Sequence, residues 1–282
     1  MNAASLRRVL VLLPVLLLAL PAAPTSAEDV RAAIPKGKAL KDLVIAYLDA
    51  DVADRRAMRK AWDKAFHELD PKQLPKLRKE LLKIAAKHGP KLQKKGKNWF
   101  YEKGKGKYIV SGNPKKALWI SLHGGGVGSG SAENAAGAMG GGGFGWIFPE
   151  VLKKTERGWT DSGTEEFVLE LINAAKRTWK LDPNRIFISG HSMGGFGSWT
   201  IGSRHADMFA GIAPYAGAPT LVEMESTKFV QPGIVPNLYN VPLHFYQSGD
   251  DKNVPPESND VAHTVLQRWK KEHPKGFTFR YD

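Results

Sequence analysis

Cysteine is absent from the 282 residues, which excludes disulfides, thiol nucleophiles and cysteine–zinc sites. Acidic residues are also few. The chain has 28 Asp and Glu against 41 Lys and Arg, for a formal net charge of +13. The deficit is local: residues 28–105 carry 21 basic and 11 acidic side chains, residues 106–282 carry 18 and 17. A nearly neutral second part argues against nucleic acid as its substrate. No apolar run reaches the roughly 18–20 residues of a comfortable membrane span. The longest, residues 9–20, follows Arg7 and Arg8 and leads to Thr25-Ser26-Ala27. Charged start, short apolar segment and small residues before a cleavage point describe an export leader, with cleavage expected after Ala27 and a secreted or periplasmic mature protein. Phosphate-cradling signatures are missing as well. There is no G-K-[ST], and no G-x-G-x-x-G is completed by a helix and a ribose-binding acid.

What is present centres on Ile186-Phe187-Ile188-Ser189-Gly190-His191-Ser192-Met193-Gly194-Gly195. A short apolar run reads as a buried strand, and Phe196, Ser198, Trp199 and Ile201 resume at roughly helical spacing. Gly190-x-Ser192-x-Gly194 between strand and helix makes Ser192 a candidate nucleophile, exposed on a sharp turn whose flanking residues must be nearly free of side chain. A second apolar run, residues 117–122, ends in His123-Gly124-Gly125-Gly126, and 11 glycines lie between Gly124 and Gly145. Glycine lets backbone N–H groups face inward unobstructed, so this loop reads as an oxyanion loop. The expected donors are the N–H of Met193 and that of Gly124 or Gly125. Residues 137–145 read as a loop bordering the site.

Ahead of this, residues 38–88 read as three amphipathic helices. Leu40, Leu43, Val44, Tyr47 and Leu48 share a face; Asp51 or Asp54 caps a second helix, and Asp70-Pro71 opens a third. Their outer faces are rich in Lys and Arg, which suits either a solvated cap or a surface for an anionic polymer or lipid of the cell envelope. His67 and His88 have no second ligand at metal spacing, and no metal or organic cofactor is expected. Residues 28–95 form this basic segment with its linker; residues 96–282 form the second domain. There, residues 99–101 and 108–110 read as a hairpin about Gly104-Lys-Gly106. Ser162 or Thr164 caps a helix carrying Phe167, Val168, Leu171 and Ile172. Residues 209–213 and 241–246 read as strands, 218–240 as an irregular excursion, 256–272 as a helix and 276–281 as a last strand.

Strands alternating with helices, the His-Gly-Gly-Gly loop and the serine turn together resemble the α/β-hydrolase fold, a mostly parallel sheet flanked by helices. More narrowly, Leu122-His123-Gly124-Gly125-Gly126, Asp182-Pro183-Asn184-Arg185-Ile186-Phe187 and Gly190-His191-Ser192-Met193-Gly194-Gly195 resemble secreted polyester depolymerases and feruloyl-esterase-like carboxylesterases. Prolyl-oligopeptidase-like proteins share these signatures. The resemblance implies an ester substrate hydrolysed through an acyl-serine. It places the acid of the triad in Gln247-Ser248-Gly249-Asp250-Asp251-Lys252-Asn253-Val254-Pro255, on Asp251 with Asp250 as the alternative. It places His123, His191 and Tyr215 beside the substrate. The triad histidine of such proteins follows the last strand, and His263 and His273 do not match that position. The base is therefore expected beyond Asp282, in a chain cut short before it. The rival readings are a peptidase and an inactive hydrolase-fold binding protein.

Overall fold

The computed structural model describes residues 33–66, 70–95, 98–100, 106–125, 129–155, 158–224 and 227–282. The leader, His67, Gly126 and the turn about Gly104 lie outside them. Two compact units divide between His88 and Gly89.

The first unit holds α1 (Gly37–Asp49), α2 (Val52–Ala65) and α3 (Leu74–Ala85). Asp51 caps α2 by accepting from the Asp54 N–H at 2.8 Å, and Asp70 opens the turn before α3 by accepting from Lys72 N–H at 2.9 Å. Both satisfy amides that the first turn leaves without partners. Arg55 donates to the carbonyls of Tyr47 and Leu48 at 3.0 and 2.8 Å, closing the end of α1.

The second unit runs β1 (Gln93–Lys95), β2 (Asn98–Phe100), β3 (Tyr108–Gly112), β4 (Leu118–Leu122), α4 (Ala132–Met139), β5 (Gly145–Pro149), α5 (Thr164–Trp179), β6 (Ile186–His191), α6 (Met193–Arg204) and β7 (Gly211–Tyr215). It continues with β8 (Leu221–Met224), β9 (Thr227–Val230), α7 (Ile234–Asn237), β10 (Leu243–Phe245), α8 (Glu257–Glu272) and β11 (Phe279–Tyr281). Seven strands form one sheet in the order β11-β10-β7-β6-β4-β5-β3, parallel throughout except for β3 against β5. Its middle strands are apolar on both sides, as strands covered by helices must be. Ile120, Ile147, Ile186 and Ile188 are wholly buried, together with Phe167, Val168, Leu171 and Ile172 of α5. Across the other face of the strands, Trp146 stacks on Trp119 (5.6 Å) and Trp119 on Phe187 (4.8 Å).

Four expectations are corrected. β3 does not pair with β2; β2 pairs antiparallel with β1, Lys94 lying opposite Trp99. β3 instead adds antiparallel to β5, a strand hidden among the glycines because Ile147 enters the main core while Trp146 and Phe148 face α4. The same glycine stretch contains α4, capped by Ser131, which accepts from the Asn134 N–H at 3.2 Å. Neither Ser162 nor Thr164 caps α5: Gly163, at φ 88°, occupies the cap and donates its N–H to Glu166. Residues 218–240 hold the β8–β9 pair and α7 rather than irregular chain.

Candidate active site

All the strands of the seven-stranded sheet but β3 point their carboxyl ends the same way, so the loops after β4, β6, β7 and β10 share one edge of it. Ser192 joins β6 to α6 at φ 56° and ψ −120°, a conformation that side chains rarely adopt. The turn is forced by contact. A β-carbon on Gly190 would stand 2.4 Å from the Gly194 carbonyl oxygen, and one on Gly194 would stand 2.0 Å from that of Leu122. On Gly195 it would reach the Tyr215 oxygen at 2.6 Å. Glycine at these places lets β6 fold back into a helix that presses on β4 and β7. The Ser192 N–H donates to Tyr215 at 2.9 Å, which fixes the serine against β7. Ser192 and Met193 are half-buried and His191 is exposed. As the first residue of α6, Met193 carries one of the amides that a helix leaves without an internal partner.

The glycine loop leaves β4 directly against this turn. A β-carbon on Gly124 would lie 2.9 Å from the His191 carbonyl oxygen and 3.3 Å from the Ser192 β-carbon. Gly125 and Gly130 adopt φ 94° and 78°, and a side chain on Gly130 would collide with the Gly124 oxygen. His123 pins the loop. It is 2% exposed; its Nε2 accepts from the Val151 N–H at 3.2 Å, so Nδ1 carries the proton and donates to the Gly124 carbonyl at 2.8 Å. Trp159 donates to the His123 carbonyl at 3.0 Å. Burial pushes the His123 pKa below its ordinary value, keeping the ring neutral. His123 thus borders the cleft with Nδ1 committed to the glycine loop and Nε2 to the chain that follows β5.

Asp251 follows β10. One carboxylate oxygen accepts from the Asn253 and Val254 N–H groups, both at 2.9 Å, and the other faces the Gln247 amide at 3.5 Å. The Val254 N–H, then that of Asn253, hold its pKa below the ordinary range, with a smaller contribution from the charge of nearby His191. Asp250, the alternative acid, is exposed and takes a short hydrogen bond from the Ser248 hydroxyl.

Three residues to which the sequence reading gave no part in the site hold this acid loop. Gln247, buried, donates to the Val254 carbonyl at 2.7 Å and accepts from Asn259 of α8 at 3.0 Å. Asn259 also donates to Gly217 at 3.1 Å, and Trp199 of α6 donates to the same carbonyl at 3.1 Å. Gly217 in turn lies against Gly195 and Phe196 at the start of α6. A chain of amides therefore links the acid loop to the serine helix. No local pattern in the sequence marks it.

A cleft of about 810 Å³ adjoins the turn. Gly124, Gly125 and His123 line one side, His191, Tyr215 and Tyr246 another, and Asn134, Ala135, Ala138 and Met139 of α4 a third. Tyr215 is half-buried; burial, and after it the charge of Asp282, raise its pKa. The other described histidines are engaged elsewhere: His88 with Asp49, His205 with Glu165, His244 with Asp282, His263 with Gln267, and His273 stacked on Trp269. Asp282 sits beside the acid loop's root, donating its N–H to Phe245 (3.1 Å) and accepting from the Gln247 N–H (3.0 Å). Among the described residues no group of three His, Asp or Glu is placed to hold a metal ion.

A parallel sheet, a strained serine between strand and helix, a glycine loop against it and an acid after a later strand share one edge. The fold is that of an α/β-hydrolase. The model of the prolyl oligopeptidase family matches residues 130–233. Poly(3-hydroxyalkanoate) depolymerase C of Paucimonas lemoignei is 28% identical over 76 residues, 27% of this chain and 17% of that protein. Among solved structures, a thermostable esterase shares 19% identity at a TM-score of 0.47, over 62% of this chain and 49% of that one. Est1E of Butyrivibrio proteoclasticus, with ferulic acid bound, shares 13% identity at a TM-score of 0.41, over 63% of this chain and 84% of that one. The chain thus spans less than a fifth of the depolymerase and about half of the thermostable esterase.

Proposed function

We propose that this chain carries the catalytic domain of an exported carboxylic-ester hydrolase that works through an acyl-serine. The observation that carries the reading is the strained Ser192 with Gly124 packed against it. In the proposed reaction the Ser192 oxygen attacks the ester carbonyl as a histidine takes its proton. The amides of Met193 and of Gly124 or Gly125 hold the oxyanion, and the alcohol departs with the proton from the histidine. Water, deprotonated by the same base, then releases the acid. Asp251, ionised and with one oxygen nearly free, orients the histidine and stabilises its charge. The described histidines are engaged as above and His191 adjoins the serine in sequence, so the test below also supplies an external base. Export by residues 1–27 completes the proposal, and the mature protein then starts at Glu28.

The test combines a fluorophosphonate label with p-nitrophenyl esters of graded acyl length, run on this chain with added imidazole as base and on a chain extended past Asp282. Labelling of Ser192 and ester turnover, both abolished in Ser192→Ala, are the expected result. Turnover that survives Ser192→Ala would overturn it.

The prolyl oligopeptidase match favours one other reading, a serine peptidase using the same residues. The described residues ahead of β1 are helical and supply no strands for a propeller that would restrict access. Cleavage of succinyl-Gly-Pro p-nitroanilide faster than of p-nitrophenyl butyrate would favour it.

A further inference from the structure

The helical unit contains a feature that the hydrolase reading does not use. Between α1 and α3 lies a groove of about 620 Å³ lined by Lys41, Lys76, Lys79, Lys83 and Lys87, over Ile45 and Ile84. One carboxylate, Glu80, shares the lining, and His88 at its lip is bonded to Asp49 at 2.8 Å. The five lysines are exposed, and among the described residues none of them forms an ion pair.

The placement follows from helical geometry. Positions 76, 79, 83 and 87 recur at the three- and four-residue spacing that brings side chains onto one stripe. At about 1.5 Å per residue the row extends roughly 16 Å, with Lys87 in the turn beyond α3. Lys41 faces it from the other wall. Like charges gathered in this way repel one another, at a cost to the fold, and Glu80 is the one carboxylate that shares the lining with them.

From this we infer that the groove binds an acidic polysaccharide, a chain whose carboxylate or sulfate groups repeat along its length. The row of point charges matches a linear array of anions, and the two isoleucines offer an apolar floor to the C–H faces of sugar rings. A bilayer fits less well. The charges line a concavity, whereas the large exposed leucines of α3, Leu74 and Leu82, lie outside it. A nucleic acid fits less well too, since the lining contains no Phe, Tyr or Trp to stack a base, its one imidazole, His88, is bonded to Asp49, and there is no arginine to fork onto a phosphate. This site is independent of Ser192 and needs no catalysis to be detected.

The experiment measures binding of the full chain to fluorescein-labelled heparin and to polygalacturonate across a salt series. Binding is expected, weakening with salt at a log–log slope of about −3 to −4, as release of counterions by four or five contacts requires. Lys79→Glu/Lys83→Glu is expected to weaken it on the order of tenfold or more at low salt. Lys79→Arg/Lys83→Arg is expected to retain it, and so is Lys271→Glu/Lys275→Glu, which changes net charge equally on α8 and the turn after it. Circular dichroism checks that each variant is folded, and Lys79→Gln/Lys83→Gln replaces the Glu pair if that variant fails to fold. Equal loss in the α8 variant would reduce the effect to net charge and overturn the site. Undiminished binding by Lys79→Glu/Lys83→Glu, or by the Gln pair standing in for it, would overturn it as well. Tighter binding to phosphatidylglycerol vesicles or to duplex DNA than to either polysaccharide would overturn the choice of ligand.

Discussion

Asn259 donates to Gln247 at 3.0 Å in the interior of the protein, two side-chain amides joining α8 to the loop that bears Asp251. Gln247 spends its own N–H on the Val254 carbonyl, so the turn around the acid is held from within rather than by solvent.

Cutting this link should affect stability and rate together. Asn259→Ala removes the donor to Gln247 and one of two donors to Gly217, leaving a buried oxygen without a partner. A loss of about 2 kcal/mol is expected in urea unfolding. In the active hydrolase, kcat should drop by roughly tenfold with KM little changed, because the acid acts on the chemical step. A variant with wild-type kcat would show that the amides serve only the fold.

His123 makes stability depend on pH. Its folded pKa lies below the ordinary 6.5 because burial disfavours the charged ring. Above 6.5 neither state binds the proton and the contribution is complete. As pH falls from 6.5 through the folded value, the unfolded chain takes up a proton that the native chain refuses, and stability declines. Thermal melts between pH 7.5 and 5 should therefore fall more steeply for the native sequence than for His123→Gln, which does not titrate. Parallel curves would mean that the ring is protonated without harm to the loop.

The strain at Ser192 should be recoverable. At φ 56° and ψ −120° a side chain is disfavoured, and glycine is not. Ser192→Gly is expected to be more stable than Ser192→Ala by about 1 kcal/mol in denaturant unfolding, both being inactive. Equal stabilities would locate the strain elsewhere.

How much of this was legible in the sequence follows from how local each cause is. The Ser192 turn was readable because its glycines answer to contacts within a few residues and to the strand beside it. The glycine loop was readable for the same reason at Gly124 and Gly125. Strand β5 was not, since glycines run up to its start and large apolar side chains on both faces, Ile147 on one and Trp146 and Phe148 on the other, leave no polar alternation to read. The partner of β3 was missed because it lies some 35 residues further on, while a nearer candidate, β2, looked equally apolar. The Asn259 amide acts on Gly217 across 42 residues of sequence, a distance at which no short pattern survives.

The stacked row Trp146–Trp119–Phe187 has a reach beyond its own contacts. It crosses three neighbouring strands at one level, and a slip of one residue in any of them would turn its ring to the opposite face of the sheet. Strands β4 and β6 go on from that level to end at the glycine loop and at Ser192. The height of the one above the other is therefore gauged by indole and phenyl rings near the opposite ends of the same strands.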